Sequence, residues 1–251
     1  MSLLILFSPL EQFAVVASIM PSVSLFGFFF FTNLSQTLVI IFLFWFILAR
    51  LLVHKQRPVL VSAVVFFFAQ YFLFCVTFVK ENLSRKAFFF FPYLFVLFTF
   101  LLTANLFSLV PYSFAVTSHI SITLFLSFLT FFTCVVLCVY RHGLDFFSLF
   151  LPSGSPLPLI PLLVVLEMIS FIARLFSLAI RLFANIMSGH TLLNILAGFG
   201  WILATKLSLI FIFPVLVVFL VSFLEVGISI LQAYVFCVLS AIYLYEALFL
   251  H

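Results

Sequence analysis

The polar side chains that could do chemistry lie in two long apolar segments in the second half of the sequence. In the first segment, charged and small polar residues recur at intervals of seven: Glu167, Arg174, Arg181 and Ser188. An interval of seven returns to nearly the same side of an α-helix, so these residues form one slowly drifting stripe. A charged group inside a bilayer costs on the order of a few kcal/mol or more, which favours a functional role for such residues.

The second segment carries its own stripe, formed by Glu225, Gln232 and Glu246. If the two segments pack side by side as an antiparallel hairpin, the residue numbers of facing side chains have a nearly constant sum. One such register aligns three polar pairs: His190 with Glu225, Arg181 with Gln232, and Glu167 with Glu246. The sequence therefore predicts that the polar groups of the two segments face each other, with mainly apolar residues between them.

Arg181 lies between the other two pairs, and its guanidinium keeps its proton at any physiological pH. A proton therefore cannot pass along the hairpin through this position. The arrangement predicts two relay stations, each reached by water from one side, and a mobile carboxylate on a neighbouring helix that carries the proton past the arginine. Asn185, one turn further on, is expected to hydrogen-bond to the guanidinium. The small residues Ser177 and Ala184 beside it allow another helix to approach closely.

The composition places these segments in a membrane. Apolar residues make up 67% of the 251 residues and charged residues only 6%, against about 45–50% and about 25% in soluble domains. We therefore expect an all-α integral membrane protein with one membrane domain over residues 1–251. The sequence has no basic patch on a soluble scaffold for nucleic acid and no G-x-x-x-x-G-K-[ST] motif for nucleotide. Its four cysteines lie in apolar runs without nearby metal-ligating partners, so neither a metal nor a cofactor is predicted.

Six apolar stretches are long enough for membrane helices, since a helix needs about 20 residues to cross the hydrocarbon core. Three of them are ordinary crossings, at residues 34–53, 87–109 and 120–140. After a proline-rich loop come the two long segments of the hairpin, at residues 162–196 and 207–248. Each would be about 50 Å long as a helix, against a hydrocarbon core of about 30 Å, so the hairpin must tilt strongly or bend.

The remaining stretch, residues 59–79, decides the topology. Basic residues prefer the inner side of a membrane, and seven of them flank the first four stretches: Arg50, Lys55, Arg57, Lys80, Arg85, Lys86 and Arg141. If residues 59–79 cross the membrane, these charges are divided between the two sides. If the segment is re-entrant or lies along one leaflet, all seven fall on one side, and this arrangement is favoured. It gives five crossings, an outer N-terminus, an inner C-terminus and an outer connection near residues 198–206.

Several runs of the sequence resemble subunit a of F-type ATP synthases. The resemblance covers nearly the whole chain and is most specific around Arg181. Four runs carry it: Ser177–His190 (SLAIRLFANIMSGH), Leu224–Phe236 (LEVGISILQAYVF), Ala104–His119 and Leu162–Ser170. The opening residues Ser8–Phe13 and the closing residues Leu248–His251 are similar to plant and protist mitochondrial versions. Leu175 departs from the family pattern, because many members have proline directly after the position of Arg174.

The resemblance implies a proton-translocating stator subunit of a rotary motor, which would not be an enzyme on its own. Its main partner would be a ring of c subunits, each with one carboxylate, and Arg181 matches the essential arginine that faces this carboxylate. Many bacterial relatives have an acid where this sequence has His190 and a histidine where it has Glu225, so the exchanged arrangement is similar to mitochondrial members. Peripheral-stalk subunits, other membrane subunits and lipids are further implied partners. The implied location is the mitochondrial inner membrane, with the N-terminus toward the intermembrane space and the C-terminus toward the matrix.

In this interpretation, two offset half-channels lead to the central arginine. His190 and Glu225 would line the path from the outer side, and Glu167 and Glu246 the path to the inner side. Four residues would support them: Asn185, Gln232, Arg174 and Ser188. Two simpler roles remain open, since Arg174 could only pair with Glu167 or reach the interface, and Glu246 could be a solvated helix end.

Two functions of other classes compete with this interpretation. One is an independent proton-coupled secondary transporter, although the sequence shows no inverted repeat. The other is a membrane subunit of a respiratory chain, although no pair of histidines on facing helices suggests a haem site. Co-purification with a ring of small two-helix proteolipids would separate the first function from both alternatives.

Overall fold

The computed structural model describes residues 13–15, 32–53, 60–82, 85–110, 113–143, 160–206 and 212–248. Within these residues the chain forms six α-helices: α1 (Asn33–Val53), α2 (Leu60–Asn82), α3 (Phe91–Ser108), α4 (Ile120–His142), α5 (Ile160–Lys206) and α6 (Ile212–Leu248). Two short 3-10 helices precede α3 and α4, at Arg85–Phe90 and Val116–Ser118. No strand occurs in the described ranges. The prediction of an all-α protein with two long helices at its end is confirmed.

Four helices in the described part of the chain are long and apolar enough to cross a membrane, over Phe88–Ser108, Ile120–His142, Ile160–Gly200 and Ile212–Leu248. Helix α1 contributes a shorter apolar stretch, Asn33–Ile47. Helices α5 and α6 have 47 and 37 residues, about 70 Å and about 55 Å at 1.5 Å per residue. Both exceed a hydrocarbon core of about 30 Å, so tilting or bending is required.

The bounds of the long helices differ from the predicted ones. The sequence suggested a helix end near residue 196, because Gly198 and Gly200 follow, but α5 continues through both glycines to Lys206. Glycine is tolerated in membrane helices, where no water competes for the backbone hydrogen bonds. At the other end, Pro161 lies in the first turn of α5 rather than in the predicted loop, a position where its missing N–H costs nothing. The predicted start of the second segment at residue 207 lies outside the described residues.

Local polar contacts explain how helices begin and persist in apolar surroundings. At the start of α1, the Ser35 amide donates to Thr32 Oγ1 at 3.2 Å and the Thr32 amide donates to Ser35 Oγ at 2.9 Å, which is a reciprocal cap. In α4, the hydroxyls of Thr123, Ser127 and Thr130 donate to carbonyls three residues earlier. These residues share one buried face of α4 with two free cysteines, Cys134 and Cys138.

The chain divides into two compact units. The first unit combines Met1–His54, Phe100–His119 and Phe183–Ala233, and the second combines Lys55–Thr99, Ile120–Leu182 and Tyr234–His251. Helix α5 therefore supplies its C-terminal part to the first unit and its N-terminal part to the second, and α6 does the reverse.

Each unit has its own packing. In the first unit, the Trp45 indole donates to Thr103 Oγ1 at 3.3 Å. In the second unit, the rings of Tyr71 and Phe98 stack with their centroids 5.9 Å apart, and Phe78 packs on Tyr234 at 5.1 Å. These contacts hold α1 against α3 in the first unit, and α2 against α3 and α6 in the second.

Candidate functional site

In the first unit, α5 and α6 bring His190 and Glu225 together. His190 Nε2 lies 3.9 Å from Glu225 Oε1, and the two side chains are 17% and 5% exposed. His190 Nε2 and both carboxylate oxygens are buried without a hydrogen-bond partner among the described residues. The separation is longer than a hydrogen bond, so a direct exchange of a proton would require a small shift or a bridging water.

Gly189 makes this close approach possible. A Cβ atom on Gly189 would lie 2.5 Å from Glu225 Oε1 and 2.9 Å from its Cδ, so any side chain there would displace the carboxylate. The missing side chain lets Glu225 lie against the backbone of α5, which is a use of glycine unrelated to turns. The sequence interpretation missed this residue. A glycine inside a long helix, directly before a candidate histidine, was the available signal.

A cavity of about 880 Å³ adjoins the pair in the first unit. Its polar lining comes from α1, the connection between α3 and α4, α5 and α6: Asn33, Ser113, His190, Asn194, Ser222 and Glu225. One water occupies about 30 Å³ of liquid, so the volume is that of many water molecules. The cavity therefore suits an aqueous route that ends at His190 and Glu225.

Polar side chains continue along α6 beyond Glu225. Gln232 is buried, and its Oε1 accepts a hydrogen bond from Asn185 Nδ2 at 2.9 Å. Ser229 lies between Glu225 and Gln232 in the sequence, and its backbone carbonyl accepts a hydrogen bond from Asn105 Nδ2 at 3.3 Å. The residues at 225, 229 and 232 share one face of α6, since they are four and three positions apart. The structure thus gives Asn185 the partner Gln232, where the sequence had suggested the guanidinium of Arg181.

Asn105 and Ser229 were also missed by the sequence interpretation. Asn105 is fully buried and its Oδ1 has no hydrogen-bond partner among the described residues, and the same holds for Ser229 Oγ. Asn105 could have been found, because an amide inside the apolar helix α3 is the same kind of signal as Asn185 in α5. Ser229 offered no such signal, since a serine commonly bonds to its own helix backbone.

In the second unit, Arg174 gathers the two acids that were predicted to face each other. Its Nη1 donates to Glu246 Oε2 at 2.7 Å, and its Nη2 lies 4.0 Å from Glu167 Oε1. The Tyr243 ring lies 5.6 Å from the guanidinium carbon. The predicted direct pair of Glu167 with Glu246 is therefore replaced by two carboxylates around one cation, which removes the repulsion that two facing carboxylates would experience.

A second and much smaller cavity, of about 30 Å³, adjoins this ion pair. It is lined by Cys134, Cys138, Arg174, Tyr243 and Glu246 together with apolar neighbours. The side chains of the ion pair remain about one-third to one-half exposed. Both simpler expectations have some basis here, since Arg174 does approach Glu167 and Glu246 lies near the end of α6.

Arg181 and its neighbours lie on an exposed face of α5. The Arg181 guanidinium donates to Ser177 Oγ at 3.3 Å, and no ion pair includes it within the described ranges. Ser177, Ala184 and Ser188 are exposed as well, and Ser188 Oγ donates to the Asn185 carbonyl at 3.3 Å. The predicted small, polar stripe with one central cation is thus open to an outside partner. The described residues contain no cluster of three or more metal-ligating side chains.

Comparison with known proteins agrees on one family. The family model for the ATP synthase A chain matches residues 31–245. ATP synthase subunit a of Marchantia polymorpha is 42% identical over 250 residues, which cover 97% of this chain and 99% of the relative. The Brassica napus subunit is 43% identical, with 97% of both chains covered, and the Chondrus crispus subunit is 40% identical, with 98% of both covered.

Proposed function

The chain belongs to the ATP synthase A chain family, and from this membership we propose that it is the proton-translocating stator subunit of a mitochondrial ATP synthase. Two offset aqueous half-channels would lead to Arg181, and a rotating ring of c subunits would carry protons from one to the other. The family match favours this function over an independent transporter or a respiratory-chain subunit. The high identity to plant and algal subunits supports a place in the mitochondrial inner membrane.

The exposed guanidinium of Arg181 is the observation that carries the proposal. A permanent cation facing lipid without a counter-charge is costly, and its hydrogen-bond partner here is a serine hydroxyl. A carboxylate on a closely packed partner helix would supply the counter-charge, and the exposed small residues at 177, 184 and 188 leave room for that helix. A c subunit with one membrane carboxylate has this chemistry.

We assign the outer half-channel to the first unit. Its cavity of about 880 Å³ would bring water to His190 and Glu225, whose Nε2 and carboxylate oxygens have no hydrogen-bond partner among the described residues. The polar surface continues from this pair, and two hydrogen bonds hold its three side-chain amides: Asn105, Asn185 and Gln232, with Ser229 beside them. A proton taken up at His190 and Glu225 would pass to the ring carboxylate.

We assign the inner half-channel to the second unit. Glu167 and Glu246, both partly exposed and both next to Arg174, would accept the proton released by the ring and pass it to the matrix. The two routes must not join, because a continuous file of water would dissipate a membrane potential worth about 2.3 kcal/mol per charge per 100 mV. Arg181 would prevent the joining, since it cannot relay a proton and keeps the emptied ring site ionised.

The test is to replace Arg181 by lysine in the assembled complex. Lysine keeps the charge but lacks the planar fork of five donors and can lose its proton. We expect ATP-driven proton pumping to fall at least tenfold in Arg181→Lys, while the amount of assembled complex stays near normal on native gels. The matched control is Arg174→Lys, which changes an arginine of the same helix that has carboxylate partners within the chain, and we expect a smaller loss there. Near-normal pumping in Arg181→Lys and Arg181→Ala would refute the proposal.

A further inference from the structure

An aromatic residue near the N-terminus, Phe13, is buried in the first unit. Phe13 is only 8% exposed and forms a small apolar cluster with Ala115 and Ile186, against which Met187 also packs. Ala115 precedes the 3-10 helix before α4, and Ile186 belongs to α5. The ring thus joins three separate parts of the chain close to the candidate proton site.

The same ring contacts the candidate proton acceptor directly. The Phe13 and His190 rings have centroids 6.1 Å apart and planes inclined by 78°, an edge-to-face arrangement. Aromatic pairs favour this geometry because the positive ring edge meets the negative ring face. His190 Nε2 has no hydrogen-bond partner in the described part of the chain, so at this nitrogen packing, not a hydrogen bond, orients the imidazole toward Glu225.

A hydrogen bond fixes the backbone next to Phe13. Asn33 Nδ2 donates to the Ala14 carbonyl at 2.9 Å, and Asn33 is both the first residue of α1 and part of the cavity lining. The next residue, Val15, is 51% exposed. The hydrogen bond from Asn33 therefore fixes the backbone directly after the buried ring, and the side chain of Val15, two positions after Phe13, is exposed.

We propose that Phe13 is a positioning residue for proton transfer at His190, a role that rests on the proposed function. Its ring forms one wall of the site, keeps Nε2 directed at Glu225 across the 3.9 Å gap, and restricts water at the imidazole to the cavity side. Without the ring, the imidazole can rotate within the space left behind. It then spends less time in the orientation that exchanges a proton with Glu225.

The experiment compares Phe13→Ala and Phe13→Leu with Val15→Ala as the matched control from the same segment. Proton-driven ATP synthesis is measured per assembled complex, and the rate of carbethoxylation of His190 by diethyl pyrocarbonate is measured by mass spectrometry, with His142 as internal reference. We expect Phe13→Ala to lower synthesis at least fivefold and to raise the labelling of His190 at least threefold. Phe13→Leu refills the space without a ring, and we expect a loss of about twofold. Val15→Ala should change neither quantity.

Including His190→Gln separates the two levels of inference. If His190→Gln leaves synthesis intact, the proposed proton path itself is wrong. If His190→Gln abolishes synthesis but Phe13→Ala behaves like Val15→Ala, the positioning role alone is wrong. If Phe13→Ala does not assemble, Phe13→Leu decides: unchanged synthesis and unchanged labelling of His190 in that variant show that Phe13 only supports assembly.

Discussion

The two acid–base regions of this chain both contain a glutamate on α6, but they differ in its burial and its hydrogen bonding. In the first unit, Glu225 is buried beside His190 with no hydrogen bond to either carboxylate oxygen among the described residues, next to a cavity of about 880 Å³. In the second unit, Glu246 is about half exposed, hydrogen-bonded to Arg174 at 2.7 Å, and next to a cavity of about 30 Å³. In the proposed path, Glu225 would take up a proton without breaking a hydrogen bond to a described residue, whereas Glu246 would first have to separate from Arg174.

The comparison suggests a division of labour between uptake and release. A large aqueous volume that ends at unpaired groups suits a station where protons enter from bulk water. A partly exposed ion pair suits a station from which protons would leave, because Glu246 is engaged with Arg174 and does not adjoin a large cavity. The two regions differ in whether their carboxylate oxygens have hydrogen-bond partners. The types of the residues do not reveal this difference.

The strongest way to break the comparison is to neutralise each acid in turn. We expect Glu225→Gln to reduce proton-driven ATP synthesis by at least fiftyfold, because the amide cannot carry the proton between the cavity and the ring. Glu246→Gln should reduce it only a few-fold, since Glu167 also lies next to Arg174. Synthesis rates in vesicles, normalised to assembled complex, decide between them. Equal losses in the two variants would show that the unpaired state of Glu225 has no special importance.

A smaller change sharpens the same point by moving Glu225 without altering it. Gly189→Ala places a methyl group where the carboxylate now lies, 2.5 Å from Oε1, so Glu225 must turn away from His190. We expect about a tenfold loss of synthesis with assembly retained. The control is Gly198→Ala in the same helix, where an added Cβ meets nothing within 4 Å. If both variants behave alike, the effect belongs to the helix backbone and not to the carboxylate.

The smallest expected effect tests whether burial alone makes a histidine functional. His119, before α4, has a buried Nε2 without a hydrogen-bond partner in the described residues, and it stacks on Phe114 at 5.2 Å. Burial lowers the pKa of His119, so the folded chain binds this proton more weakly than the unfolded chain, and stability falls as pH drops through about 6.5. We expect the rate of ATP synthesis of His119→Gln to stay within twofold of the parent complex. When the pH is lowered from 7.5 to 5.5, the Tm of the variant should fall by less than the Tm of the parent complex. A large loss of synthesis would assign His119 to the proton path.

Sequence patterns were sufficient for the helices and for part of the site. Long apolar runs predict membrane helices because a helix satisfies all of its backbone hydrogen bonds within itself in lipid. The antiparallel register of the two long segments predicted His190 and Glu225 as neighbours. The partner of Glu246 could not be predicted from the sequence. Both Glu167 and Glu246 lie near Arg174, and the side-chain rotamers decide which of them forms the hydrogen bond. The roles of Gly189 and Phe13 could not be predicted for another reason. Each depends on which residue of another part of the chain packs against it, Glu225 for Gly189 and His190 for Phe13.

Helix α5 runs without interruption through all 47 residues, past both of its late glycines. It supplies Arg174 to one compact unit and His190 to the other, so both acid–base regions draw a side chain from one continuous helix. In a motor, the stationary part must resist the torque that the rotor exerts on it. If Arg181 meets a ring as proposed, that load falls near the middle of α5, where the unbroken backbone hydrogen bonds of one helix, and not a loop, resist it.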